Sequence, residues 1–86
     1  MRLETGIVEI DLHGKNRQEA MCVVERAVES AGKSVYTIRV IHGFHGGNSL
    51  RNMLQEEYSY GRNPKVMEIR GGNNPGITEL VLRRLL

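Results

Sequence analysis

Residues 7–31, IVEIDLHGKNRQEAMCVVERAVESA, contain a strand pattern, a His-Gly turn and a helix pattern in close succession. In the first six residues, apolar side chains alternate with others that include two carboxylates, which is typical of a strand buried on one side. Asn16 and Glu19 then form the pattern of a capping box, and small apolar residues recur at helical spacing until Gly32. The stretch therefore predicts a strand, a short loop and an amphipathic helix.

The same arrangement recurs further along the chain. Residues 35–41, VYTIRVI, predict a β-branched strand, and a glycine loop with His42 and His45 follows it. Asn48 or Ser49 can cap a second amphipathic helix. Each unit brings the N-terminus of a helix, with its unpaired amides and partial positive charge, to the edge of the sheet where its strand ends.

The last third of the chain predicts two more strands. Residues 65–70, KVMEIR, alternate in side-chain character and end in a glycine loop at residues 71–76, GGNNPG. Residues 77–83 fit either a strand or a helix, and Pro75 would suit a helix start, but we favour a strand. If the first three strands run parallel, their three loops lie at one edge of the sheet, where open α/β sheets bind ligands.

These elements predict an α/β protein. We expect a two-layer βαβαββ sandwich in which a mixed four-stranded sheet carries both helices on one face. The 86 residues form a single domain, residues 1–86, and 40% of them are hydrophobic. The lone Cys22 excludes a disulfide framework, and no segment predicts a membrane span or a signal peptide, so we expect a cytoplasmic protein. The sequence would suit a standalone protein or a terminal domain, and it leaves the oligomeric state open.

The predicted sheet edge carries groups that suit a phosphate. Cations beside a helix N-terminus oppose the helix dipole by roughly 0.3 to 1 kcal/mol each, and an anion between them would remove the conflict. The alternative is that these side chains simply extend into solvent. Phe44 could stack on a base or tuck under its loop. The expected phosphate or nucleic-acid contacts are Gly14, Lys15, Arg17, Gly43, Phe44, Gly46, Gly47, Arg51, Gly71 and Gly72.

The same edge carries the candidate catalytic groups, Asp11, His13, His42 and His45. Asp11 and His13 lie two apart on a strand, so the carboxylate could orient the imidazole for acid or base work, or both could reach one phosphate or one metal ion. In the alternative interpretation, Asp11 only bonds loop amides and His13 is a turn residue. A zinc site is conceivable from these ligand types, but the spacing does not require one. A divalent ion, manganese or magnesium, is a further possibility.

Three segments resemble the Smr (small MutS-related) domain: DLHG at 11–14, VIHGFHGGNSLR at 40–51 and GGNNPGITELVL at 71–82. The resemblance implies a fold similar to the C-terminal domain of bacterial translation initiation factor 3. It also implies nicking of DNA or cleavage of RNA, in DNA repair, recombination or RNA processing. It carries over as site residues Asp11, His13, Gly14, His42, Gly43 and Gly47. This chain departs from the family where His45 replaces the second glycine of HGxGxG, and where GGNNPG replaces a simpler GGxG.

Three functions follow as hypotheses. The first is a phosphodiesterase that acts on DNA or RNA, either as a nicking endonuclease or as an endoribonuclease. The second is a nucleic-acid-binding module without catalysis, which would use the same sheet edge. The third is a protein-interaction domain that pairs through the uncovered face of the sheet, where we expect Glu9, Thr37, Arg39, Glu68 and Arg70.

Overall fold

The computed structural model describes residues 2–4, 6–43 and 48–83. These residues form one β-sheet and two helices that cover it. Its strands lie in the order β1-β2-β3-β5-β4. In chain order the elements are β1 (Arg2–Glu4), β2 (Ile7–Asp11), α1 (Arg17–Ser30), β3 (Thr37–Ile41), α2 (Ser49–Tyr58), β4 (Glu68–Gly71) and β5 (Ile77–Val81). Within the described ranges, neither helix is long and apolar enough to cross a bilayer.

The direction of the strands decides where the loops lie. β2 and β3 pair in parallel, whereas β5 is antiparallel to both β3 and β4. β2, β3 and β4 therefore all point the same way, although β5 lies between β3 and β4. Because these three strands run in the same direction, the three glycine loops that follow them lie at one edge of the sheet.

The predicted α/β sandwich is confirmed, and the tail is a strand rather than a helix. Three details differ from the prediction. β1, which pairs antiparallel with β2, was not predicted and makes the sheet five-stranded. The strand predicted at residues 65–70 starts later, because Asn63 accepts hydrogen bonds from the amides of Lys65 (2.8 Å, side chain) and Val66 (3.1 Å, backbone), which close a turn. β5 ends at Val81 rather than near residue 83.

The first helix begins as its sequence predicts. The Asn16 side chain accepts from the Glu19 amide at 2.8 Å, and the Glu19 carboxylate accepts from the Asn16 amide at 3.1 Å, which completes the capping box. α2 begins at Ser49 after Asn48, whose side chain makes no capping bond. Both helices lay their apolar stripes on the same face of the sheet, and the fully buried side chains there include Leu12, Val24, Ile38, Leu54 and Leu80.

The other face of the sheet carries a row of alternating charge. The strand register aligns Glu9, Arg39, Glu79 and Arg70 across β2, β3, β5 and β4. Arg39 lies 3.5 Å from Glu9 and 3.3 Å from Glu79, and Arg70 lies 3.0 Å from Glu79. The hydrogen bond to Glu79, followed by that to Glu9, raises the pKa of Arg39 above its ordinary value, although burial opposes the rise. We call these four residues the charge row.

Candidate functional site

Four strand ends meet at the edge of the sheet that the sequence singles out. Asp11 aligns with Ile41, Ile41 aligns with Ile77, and Gly71 aligns with Thr78. The loops after β2, β3 and β4 all leave the sheet here. We call this region the loop edge.

At the first loop, the Asp11 carboxylate holds the backbone rather than the imidazole. Its Oδ1 atom accepts a hydrogen bond from the His13 amide at 2.8 Å, and both residues are exposed. This is the contact expected if Asp11 bonds a loop amide, and the predicted bond from Asp11 to the His13 ring is not formed. His13 is exposed, and no group in the described ranges hydrogen-bonds its ring.

At the second loop, the His42 ring is engaged at both nitrogens. Its Nδ1 atom lies 2.7 Å from the carbonyl oxygen of Gly43, and its Nε2 atom lies 2.8 Å from the Thr78 hydroxyl. Thr78 is only 1% exposed. His42 is therefore fixed between its own loop and β5.

Backbone contacts tie the second and third loops together. The amides of His42 and Gly43 both donate to the carbonyl oxygen of Gly76 at 2.9 Å. Gly43 has φ of +74°, and a Cβ atom added at Gly76 would lie 3.2 Å from the Gly43 Cα atom. Glycine meets both requirements, one for an unusual backbone angle and one for close approach. The Asn74 side chain accepts from the Gly76 amide at 2.8 Å and shapes the same corner.

Gly71 and Gly72 contribute differently from the prediction. Gly71 belongs to β4 and pairs with Thr78. The Gly72 amide donates to the carbonyl oxygen of Ile77 at 2.9 Å, so this N–H is already used within the protein. In the described conformation Gly72 does not offer its amide to a phosphate.

The predicted cations at the loop edge fall into two groups. The Arg17 guanidinium lies 3.3 Å from the Ser49 hydroxyl and 3.4 Å from the Glu56 carboxylate, so it joins the first turn of α1 to α2. Lys15 and Arg51 are exposed, and no group in the described ranges pairs with either. The two helix N-termini thus lie side by side, with two uncommitted cations near them.

The chain matches a known domain family in sequence and is similar to a solved structure of that family. Residues 10–75 match the Smr domain family. The chain belongs to the Smr family. Its structure is similar to the crystal structure of the Smr domain of Thermus thermophilus MutS2, with a TM-score of 0.76 and 30% sequence identity over 90% of this chain and 99% of that chain. A comparison with curated proteins finds no match.

The described residues include most of those that the Smr resemblance carries over. The structure brings Asp11, His13, Gly14, His42 and Gly43 to the loop edge. Phe44, His45, Gly46 and Gly47 lie outside the described residues, and their roles stay predictions. Similarity to initiation factor 3 likewise stays a prediction.

The side chains at the loop edge limit what the site can hold. Among the described residues, no three His, Cys, Asp or Glu side chains converge to hold a metal ion. Thr78, Gly76 and Asn74 contribute to the site although they were not among the predicted site residues. The sequence offers a weak signal for them, since all three lie in or next to the GGNNPG loop.

Proposed function

We propose that this Smr domain is a phosphodiesterase acting on nucleic acid, as a nicking endonuclease or an endoribonuclease in DNA repair, recombination or RNA processing. The observation that carries the proposal is the loop edge itself. The exposed imidazole of His13, the exposed cations Lys15 and Arg51, none of which pairs with a group in the described ranges, and two adjacent helix N-termini lie there together. Such N-termini attract phosphate groups.

In the proposed mechanism, Lys15 and Arg51 hold a backbone phosphate, together with amides at the helix N-termini. His13 transfers a proton as general acid or base, and Asp11 keeps His13 in place through its amide. The sequence offers His42 or His45 as the complementary group, and because both His42 nitrogens are engaged within the protein, His45 would take this role. On RNA the 2′-hydroxyl would attack the phosphorus and expel the 5′-oxygen, which takes a proton. On DNA a water molecule would attack instead, one P–O ester bond would break, and the leaving oxygen would take a proton.

A manganese or magnesium ion is compatible with this proposal. Such ions often bind through one or two carboxylates and complete their shell with water and substrate phosphates. Asp11 is the described carboxylate at the end of β2, and His13 follows it by two residues. When bound, the ion would supply charge neutralisation at the phosphate and an activated water.

The decisive experiment compares the wild-type chain with His13→Ala. Each is incubated with labelled single-stranded RNA and with supercoiled plasmid, in manganese, magnesium or chelator. We expect cleavage to fall by at least about 100-fold in the variant, because general acid-base groups contribute on this scale, while binding is largely kept. Unchanged cleavage by His13→Ala would remove this residue from the mechanism.

One observation favours the second candidate, a binding module without catalysis. Both His42 nitrogens are engaged within the protein, so this ring offers no free atom for proton transfer in the described geometry. A module of this kind would bind RNA or DNA at the loop edge, lose affinity steeply with salt and cut neither substrate.

A lysine pair tests whether the loop edge binds the nucleic acid at all. Lys15 lies in the first loop, whereas Lys33 precedes β3 and lies at the opposite edge, and both are exposed. We expect Lys15→Ala to weaken binding and to reduce the slope of log affinity against log salt by about one, since one phosphate contact is lost. Lys33→Ala is the matched control and should leave both quantities unchanged. Equal effects of the two variants would place binding elsewhere.

A further inference from the structure

The contact between His42 and the Gly43 carbonyl assigns the proton on the His42 ring. A carbonyl oxygen only accepts hydrogen bonds, so the 2.7 Å contact between Nδ1 and the Gly43 carbonyl requires a proton on Nδ1. In the neutral ring Nε2 then has a lone pair, and the Thr78 hydroxyl, 2.8 Å away, donates to it. Both hydrogen bonds fit one tautomer, with Nδ1 protonated.

The surroundings of Thr78 show that packing alone does not explain its hydroxyl. Thr78 is 1% exposed and lies on the helix-covered face of the sheet, beside Val40 on the neighbouring strand. Leu80, two residues further along β5, lies on that same face and is fully buried. Valine would fill the same space without a polar atom, and a buried hydroxyl is costly unless it is hydrogen-bonded. The bond to His42 supplies the partner that this hydroxyl requires.

We infer that Thr78 is a positioning residue of the loop edge, which acts through His42. Its hydroxyl donates to Nε2 and so keeps the ring in place, with Nδ1–H on the Gly43 carbonyl, which holds the corner at Gly43 against β5. The amides of His42 and Gly43 already bond Gly76, and the ring adds a side-chain clamp to the same corner. This inference rests on the proposed function, because it makes His42 hold the site while His13 transfers the proton.

The first test reads the ring directly and needs no substrate. Nitrogen-15 chemical shifts of the histidine rings report which nitrogen carries the proton, in the wild-type chain and in Thr78→Val, Thr78→Ser and Thr37→Val. Thr37 is the matched control, because it is a threonine of similar burial on β3, 2% exposed, whose side chain points to the other face of the sheet. Circular dichroism confirms that each variant is folded.

We expect the Nδ1-protonated form in the wild-type chain, in Thr78→Ser and in Thr37→Val. In Thr78→Val the Nε2 lone pair loses its donor, so the ring should leave the clamp and become a mixture of tautomers. A Thr78→Val chain that keeps the wild-type tautomer would overturn the inference.

The second test measures the activity or the affinity of the loop edge. The substrate is a nucleic acid that the wild-type chain cuts or, if it cuts none, one that it binds. On this substrate the kcat or the affinity of Thr78→Val should fall about tenfold, which is the scale of one buried hydrogen bond. Thr78→Ser and Thr37→Val should stay within about twofold, since neither breaks the bond. Altered tautomers with unaltered activity and affinity would overturn the positioning role. A wild-type chain that neither cuts nor binds would instead overturn the proposed function, and the tautomer series would still decide whether Thr78 sets the ring.

Discussion

At the scale of single residues, Tyr58 carries a buried hydroxyl that has no hydrogen-bond partner among the described residues. Its side chain is 3% exposed, and its hydroxyl accepts or donates no hydrogen bond within the described part of the chain. Burial, and then the charges of Glu25, Glu57 and Glu29, raise its pKa to about 12 from 10.0. The ring stabilises the core through its apolar atoms, and the hydroxyl contributes little to stability at neutral pH.

This burial predicts a pH dependence of stability. Between pH 10 and pH 12 the unfolded chain releases the Tyr58 proton while the folded chain keeps it, so stability is full below pH 10 and falls as pH rises through this window. From pH 9 to pH 11 the wild-type chain should lose about 1 kcal/mol of unfolding free energy through this group. Tyr58→Phe lacks the ionisable hydroxyl, so it should not lose this unfolding free energy. At pH 7 it should be at least as stable as the wild-type chain.

Urea unfolding at pH 7, 9 and 11 measures the difference between the two chains. Tyr60→Phe is the matched control, because Tyr60 is 96% exposed and its hydroxyl is already in water. It should follow the wild-type chain at every pH. A Tyr58→Phe variant that loses as much stability as the wild-type chain between pH 9 and pH 11 would contradict the burial of this hydroxyl.

At the scale of elements, the predictions succeeded where a pattern repeats within one segment. The alternation in β2 and β3 and the capping box of α1 are local features, and local features can be read from sequence. β1 was missed because three residues are too few to show a period, and its conformation is fixed by pairing with β2. β4 began later than predicted because Asn63 closes a turn in which Lys65 and Val66 lie.

The site shows the same division between local and distant contacts. The sequence predicts that the glycine loops meet if the first three strands run parallel, and the structure meets that condition. The sequence does not predict the contact of His42 with Thr78 or of Arg17 with Ser49, since each joins side chains more than 30 residues apart. The contact of Asp11 with the His13 amide is local, and the sequence left it as one of two alternatives.

At the scale of the whole molecule, the charge row bears on whether the open face of the sheet binds a partner. Arg39 lies between Glu9 and Glu79, with side-chain exposures of 22%, 23% and 13%, so these charges already have partners within the chain. A second copy that bound to this face would bury these charges, and removing charges from water costs free energy. Because the charges are already paired within the chain, they would form few new ion pairs with the second copy to offset that cost. We therefore expect the chain to be a monomer.

Sedimentation of the wild-type chain and of Arg39→Glu measures the oligomeric state, at concentrations up to about 1 mM so that even a dimer with a millimolar Kd is populated. We expect both to sediment as monomers, with Arg39→Glu destabilised by about 2 kcal/mol, because it replaces two charged hydrogen bonds with repulsion between like charges. Arg26→Glu, an exposed change of equal charge on α1, is the control and should change neither quantity. A wild-type dimer that Arg39→Glu separates and Arg26→Glu does not would make the open face an interface. It would then favour the protein-interaction hypothesis, because the charge row would be pairing between copies as well as within one.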